Sequence, residues 1–329
     1  MNIEAADRRA VRSAHRRLLQ LFVETRELTL FVLIIAIIIG IWLASPFFLS
    51  MANFRAITIG MAPTAIIAIG MTMLLAAGGF DLSVGSVLAL ASTVVALLLI
   101  KGAPIPLAVT AALALGAGIG LANGLVVTRI GVNPLVATLG SMSIARGIAL
   151  VFTEGFSLSN LPPAFAWAGK AQFLGIPFLV WATLVLVIVF DLAMRHASFF
   201  RQIYYIGSNE KAARLSGLPV DGVRIVAYVL SGLLAALAGV FLASRLMSGT
   251  PTAGNALELQ VLAAAVIGGA SLRGGEGTIL GAFLGVIFVA LINNAMTMLA
   301  VSIYWQMIVT GAVLVAAVTL DMLVRRGEE

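Results

Sequence analysis

Leu28-Thr29-Leu30-Phe31-Val32-Leu33-Ile34-Ile35-Ala36-Ile37-Ile38-Ile39-Gly40-Ile41-Trp42-Leu43-Ala44 is a run of seventeen residues without a charged side chain. A run of this length crosses a hydrocarbon core of about 30 Å as a helix. Every backbone N–H and C=O then finds its partner within the segment. Comparable runs recur along the chain. We read ten spans, near 28–44, 57–76, 84–100, 107–127, 134–151, 176–194, 225–245, 259–272, 277–296 and 302–320. Pro63, Gly78-Gly79 and Gly268-Gly269 interrupt or end the second, third and eighth, which mark candidate broken or re-entrant segments. The expected fold is all-α, a polytopic membrane bundle of about ten helices. Composition agrees: 61% of the 329 residues are hydrophobic and 10% charged, too little polar surface to cover a soluble globule.

Charge sets the expected orientation. With the N-terminus inside the cell, fifteen of the twenty Lys and Arg residues face the cytoplasm, leaving Arg55, Lys101, Arg146, Lys170 and Arg245 elsewhere. Both termini are then cytoplasmic: a basic segment over 1–27, a membrane domain over 28–321 and a tail over 322–329. The net charge of +6 follows from this bias and calls for no nucleic-acid partner. Trp42, Trp167, Trp181 and Trp305 fall at or beyond the outer ends of spans, as an interfacial belt requires. The Arg-rich first 26 residues precede a span too long for the apolar region of a signal peptide. They either rest on the anionic inner leaflet or act as a topology anchor. The chain has no cysteine, which removes disulfides and thiolate chemistry.

Several function classes lose their footing. The only lysines, Lys101, Lys170 and Lys211, precede Gly, Ala and Ala, so no Gly-Lys-Ser/Thr phosphate-binding loop forms and any ATP binds another polypeptide. His15 and His196 are the only histidines and cannot build an intramembrane His-Glu-x-x-His zinc site. No Gly-x-Ser-x-Gly nucleophile elbow is present. Asp81 is the one carboxylate expected deep in the membrane, which gives a proton relay little to work with.

Tyr205 to Pro219, reading YIGSNEKAARLSGLP, is a charged helix signal inside an otherwise apolar chain. Ser208 or Asn209 supplies an N-cap oxygen, Glu210 and Arg214 stand at i and i+4, and Gly217 followed by Pro219 stops the helix after two to three turns. Ala212, Ala213 and Leu215 give it a small apolar surface ringed by charge. Such a helix either enters a groove on a partner or lies on lipid headgroups. Near Asp81, Gly78 and Gly79 free the backbone, and Asp81 or Ser83 can cap the next helix. Asp81 caps that broken helix, lines a path, or does both. The stretch from Gly268 to Gly277 echoes this segment as Gly-Gly-x-x-Leu-x-x-Gly. Asn123, Asn133, Thr138, Asn293 and Asn294 offer amides and hydroxyls to an uncharged hydroxylated ligand, or hydrogen-bond between helices. Gly116, Gly120 and Gly124, like Gly281 and Gly285, are spaced for close helix packing. Arg146 either snorkels or binds a backbone carbonyl. The segment from about 152 to 175, with Pro162-Pro163 and Trp167, is the longest external loop and a landing surface for a soluble partner or a plug on the outer mouth.

From about residue 50 onward the chain resembles the permease subunit of bacterial ATP-binding-cassette importers for monosaccharides, the group of the ribose, xylose, arabinose and autoinducer-2 permeases. Gly79-Phe80-Asp81-Leu82-Ser83-Val84-Gly85-Ser86 is similar to the family's Gly-Ile-Asp-Leu-Ser-Val-Gly-Ser. Asn133-Pro134-Leu135-Val136-Ala137-Thr138-Leu139-Gly140 resembles its Pro-Phe-Ile-x-Thr-Leu-Gly run, and Gly207 to Gly217 its coupling helix. Glu258-Leu259, Ile267 to Leu272 and Gly274-Gly275-Glu276-Gly277 complete the set. Phe80 stands where Ile is common, and Asn293-Asn294-Ala295 where Asn-Gly-Leu is frequent; both bear on substrate identity more than on mechanism.

The resemblance implies a fold of the type II importer kind, and a permease that pairs with a second copy or a related chain. It also implies two ATPase subunits that hold ATP and Mg, and a periplasmic sugar-binding protein. No cofactor is expected on this chain. Ser208, Asn209, Glu210, Ala212, Ala213, Arg214 and Gly217 are then expected to govern coupling, with Ala213→Arg or Gly217→Pro uncoupling transport from hydrolysis. Phe80, Asp81, Ser83, Asn123, Asn133, Thr138, Asn293 and Asn294 are expected to shape the path. The rival readings are an ion-coupled sugar carrier acting without an ATPase, and a membrane scaffold or receptor that moves no substrate.

Overall fold

The computed structural model describes residues 26–326, and thirteen α-helices follow one another within them. They are α1 (Arg26–Ala44), α2 (Met51–Ala76), α3 (Val84–Ile100), α4 (Ile105–Leu125), α5 (Pro134–Thr153), α6 (Trp167–Lys170), α7 (Phe178–His196), α8 (Ser198–Ser208), α9 (Glu210–Leu215), α10 (Val220–Leu246), α11 (Leu257–Ile267), α12 (Ile279–Met298) and α13 (Ile303–Arg326). An antiparallel ribbon of β1 (Gln172–Phe173) and β2 (Ile176–Pro177) lies between α6 and α7. The expectation for the basic segment falls on residues 1–25, outside the described residues, as do 327–329 of the tail.

Among the described residues seven helices are long and apolar enough to cross a membrane: α1, α2, α4 with its π-helical continuation to Ile130, α5, α7, α10 and α12. The other three expected spans are the shorter apolar stretches α3, α11 and Tyr304–Ala316 of α13. The eighth expected span changes most. At eleven residues, α11 is about 16 Å long, and the chain from Gly268 to Thr278 is loop rather than helix. It is therefore a half-length segment, and the residues at its open end, Gly268, Ala270 and Ser271, are buried in protein.

Pro63 does not break α2, which runs unbroken from Met51 to Ala76. Proline lacks the N–H that would bond the Ile59 carbonyl. Arg245 Nη1 donates to that carbonyl instead, at 3.3 Å. The core is built where helices are buried on most sides. α2 and α3 are covered along most of their length, and α10 packs against α2, α3 and α4. Small residues set the spacing. A Cβ on Gly116 or Gly120 would overlap the carbonyl oxygen of Gly232 or Tyr228 in α10, so the predicted glycine stripe is a backbone-to-backbone contact. Gly281 and Gly285 do the same for α12 against the carbonyl of Gly268, just after α11, and that of Ala264 within it.

The sequence echo has a backbone counterpart, displaced by one residue. Gly79 N donates to Leu74 O at 2.8 Å and Ala270 N to Ala265 O at 2.9 Å, closing the same helix-ending turn on α2 and α11. The residue in the left-handed region is Gly78 (φ 77°) in one and Gly269 (φ 96°) in the other. Asp81 Oδ1 then accepts from Ser83 N at 2.9 Å, and Ser271 Oγ accepts from Arg273 N at 3.1 Å. Phe80 is the extra residue of the first turn.

Candidate functional site

Three groupings collect the polar residues singled out by sequence. The first is the α8–α9 corner. Asn209 is the cap of α9, its Oδ1 accepting from Ala212 N at 3.0 Å. Ser208 belongs to α8, where its Oγ donates to Tyr204 O at 2.8 Å. α9 has six residues, fewer than two turns and shorter than expected. Gly217, at φ 78°, follows it. Ala213 is only 4% exposed and packs into the core, whereas Ala212 is exposed and Leu215 is 89% exposed. This corrects the expected docking surface. Ala213→Arg would disrupt packing, so it cannot report on a contact alone.

Glu210 ties the corner to the bundle. Its Oε1 accepts from Arg214 Nε and Nη2 at 3.1 and 3.0 Å, and its Oε2 pairs with Arg224 Nη1 at 2.8 Å. Arg214 also reaches Asp221 at 2.6 Å. Burial acts to raise the Glu210 carboxyl, but hydrogen bonds from Arg224 and Arg214 outweigh it and hold it below its ordinary value. Arg224 Nε donates to Ala77 O at 3.2 Å, at the end of α2. Beside it a Cβ on Gly207 would overlap the Ala76 carbonyl, which accepts from Gly275 N at 2.9 Å. α8, the end of α2 and the loop after α11 therefore meet backbone to backbone at one point. Arg224 escaped the sequence reading, although a cation at the edge of an apolar span was a usable signal.

The second grouping is a buried polar knot. Asp81 is 0% exposed. Its Oδ1 accepts from Ser83 N at 2.9 Å and Ser83 Oγ at 2.5 Å, and its Oδ2 from Ser231 Oγ at 3.2 Å. Asn123 Nδ2 donates to Ser83 Oγ at 3.1 Å, and Ser141 Oγ donates to Asn123 Oδ1. The knot joins the start of α3 to α4, α5 and α10. Phe80 is half-buried, and its carbonyl accepts from Tyr228 Oη at 3.2 Å. Asn133 and Thr138 shape the beginning of α5: Asn133 Oδ1 accepts from Leu135 N, and Thr138 Oγ1 donates to Pro134 O, each at 2.8 Å. Arg146 Nη1 binds two backbone carbonyls, Pro251 at 2.6 Å and Ala253 at 2.7 Å.

The third grouping is a cleft of about 290 Å³ between α2, α11 and α12, near the lower end of small-molecule sites. Met61, Thr64, Gln260, Asn293, Asn294 and Thr297 are among its walls, and among the described residues no charged side chain lines it. Of the expected path residues the structure brings only Asn293 and Asn294 here. Thr64, Gln260 and Thr297 were missed, because single polar residues within apolar runs carry no register that says which ones share a face.

Comparison with known proteins accords with this architecture. The chain is 40% identical over 296 residues to the ribose import permease protein RbsC of Bacillus subtilis (strain 168), covering 89% of this chain and 91% of the relative. It is 39% identical over 302 residues to RbsC of Escherichia coli (strain K12), covering 91% and 93%. It is 37% identical over 276 residues to the L-arabinose transport system permease protein AraH of the same strain, covering 84% of each. No solved structure matches. Residues 53–318 match the model of one family. The chain belongs to that family, described as the branched-chain amino acid transport system / permease component.

Proposed function

We propose that this multi-pass permease of the inner membrane carries a monosaccharide or similar small polyol through the cleft between α2, α11 and α12. It is the transport subunit of a sugar importer and not an enzyme. An ATPase and a substrate-binding protein are its general partners. ATP and Mg lie on the ATPase, and a second permease copy or a related chain completes the membrane part. Its termini face the cytoplasm, as the Lys/Arg bias requires.

The observation that carries the substrate class is the uncharged lining of the cleft. A branched-chain amino acid, the substrate in the family's description, brings an ammonium and a carboxylate. Desolvating each without an opposite charge costs several kcal/mol. A sugar asks only for hydrogen-bond partners, which amides and hydroxyls supply. The ribose and arabinose permeases among the relatives support the same class.

Coupling to the ATPase runs through α9. Lys211, Ala212 and Leu215 face outward and engage the ATPase, while Glu210 and Arg224 join α9 to the end of α2. α2 spans about 39 Å, and its other half, residues 56–64, lines the cleft. A push on α9 thus reaches the path along one rigid helix.

Reconstitution of the chain with its ATPase and binding protein in proteoliposomes tests this. Uptake of labelled D-ribose or L-arabinose is expected to require ATP and to survive collapse of proton and sodium gradients. Uptake of leucine in place of both sugars overturns the substrate class, and gradient-driven uptake without the ATPase overturns the energy source.

A further inference from the structure

Polar side chains within the bundle divide into those already bonded to protein and those left open. Asn123 is bonded at both ends of its amide, to Ser83 and Ser141. Asn294 is paired with Asn53, its Nδ2 donating to Asn53 Oδ1 at 2.7 Å. Thr58 and Thr72 of α2 each donate to the carbonyl one turn earlier, Phe54 O at 2.9 Å and Ala68 O at 2.7 Å, the bond a threonine commonly makes inside a helix. Thr64 stands between them on α2 and makes no such bond, and the side chains of Gln260 and Asn293 make none to any described residue. All three are half-buried and line the cleft. They belong to three different helices, α2, α11 and α12, so each helix brings one open hydrogen-bonding group to the same space.

A polar group taken from water loses free energy unless it is bonded, which is why most such groups in a protein interior have partners. A set of open groups converging on an otherwise apolar cavity is where a ligand supplies them. We propose that Thr64, Gln260 and Asn293 are the residues that read the hydroxyls of the transported sugar and set its specificity. The proposal rests on the reading of this cleft as the sugar path. A carboxamide offers both a donor and an acceptor, and so does the threonine hydroxyl. Three such groups on three helices match hydroxyls carried on different edges of one ring. Ile57, Val286 and Val289 of the same walls are left to meet its C–H bonds. Leucine brings no hydroxyl to any of the three.

The chain has no cysteine, so Met61→Cys, on the wall of the cleft, gives the permease a single thiol. In the assembled importer in proteoliposomes, the transported sugar, D-ribose or L-arabinose, is expected at saturation to slow labelling of that thiol by sulfonatoethyl methanethiosulfonate at least about threefold. Leucine is expected to leave the rate unchanged. The half-protecting concentration of the sugar is then read with Thr64→Val, Gln260→Leu or Asn293→Leu added to Met61→Cys. Each is expected to raise it about fivefold, as the loss of one hydrogen bond predicts. Monodeoxy forms of the sugar separate recognition from packing. For each variant, one form is expected to protect the Met61→Cys parent as weakly as the full sugar protects the variant, and to lose nothing further in it. If every monodeoxy form loses the same factor as the full sugar, the substitutions act through packing and the proposal falls. It falls too if the sugar protects Met61→Cys equally well in all three variants. Failure of the path reading looks different: an importer that takes up the sugar with ATP while the sugar leaves Met61→Cys unprotected has its path elsewhere, and the assignment of the three residues falls with it.

Discussion

Arg224 shows how one side chain can join two elements. It stands between the Glu210 carboxylate of α9 and the Ala77 carbonyl that ends α2. Glu210→Gln and Arg224→Met are each expected to lower ATP-driven uptake. In a double-mutant cycle on protein stability they should show a coupling of only about 0.5–1 kcal/mol, since the Glu210 side chain is 40% exposed and water screens the pair. The pH dependence has a definite sign. A carboxyl held below its ordinary value stabilises the corner above the unfolded value of about 4.3, and that contribution is lost as pH falls through the lower folded value. Acid detachment of the ATPase should therefore shift toward neutral pH in Arg224→Met, because the carboxyl then loses its first hydrogen-bond donor. Leu215→Asp is the cleaner probe of docking: at 89% exposure the side chain supports no packing. The variant is expected to elute from detergent as the wild type does, while ATPase co-purification falls about tenfold or more, as loss of an apolar interface anchor predicts.

At the scale of elements, α2 owes its continuity to neighbours. Arg245 satisfies the carbonyl freed by Pro63, and Arg224 satisfies the one at the helix end. Arg245→Met is expected to destabilise the bundle by about 1 kcal/mol, the low end of the cost of a carbonyl left unpaired, since Ile59 is half-buried, measurable as a lower Tm in detergent. The contact of α4 with α10 is more demanding. Gly120→Val places carbon where the Tyr228 backbone already lies, and overpacking of this kind costs about 1–3 kcal/mol or more. Gly118, on the open side of the same helix with nothing within 4 Å, should accept Val with little change. A comparable loss of Tm at both positions would refute the stripe as a packing seam.

For the whole molecule, composition and apolar run lengths were enough to announce a polytopic helical bundle. Unbroken apolar runs of this length, in a chain with 61% hydrophobic residues, keep their backbone bonded in lipid as helices, since a barrel strand alternates and is about half as long. The helix ends at Asn209, Gly78 and Gly217 were also legible, because capping and left-handed turns depend on residues adjacent in sequence. Other features depended on which distant segments meet. Ala213 looked like part of a docking face and proved to be core. Asp81, Ser83 and Asn123 looked like path and are joined in a closed knot with Ser141 and Ser231. Gln260, Thr64 and Thr297 gave no sign in the sequence that they share a cleft with Asn293. The sequence by itself determined that the chain crosses the membrane many times, and that helices turn at Asn209, Gly78 and Gly217, since those are local properties of length, hydropathy and backbone preference. Only the tertiary structure decided which polar groups satisfy one another and which face the cleft, since a buried hydrogen bond is a relation between two places in the chain.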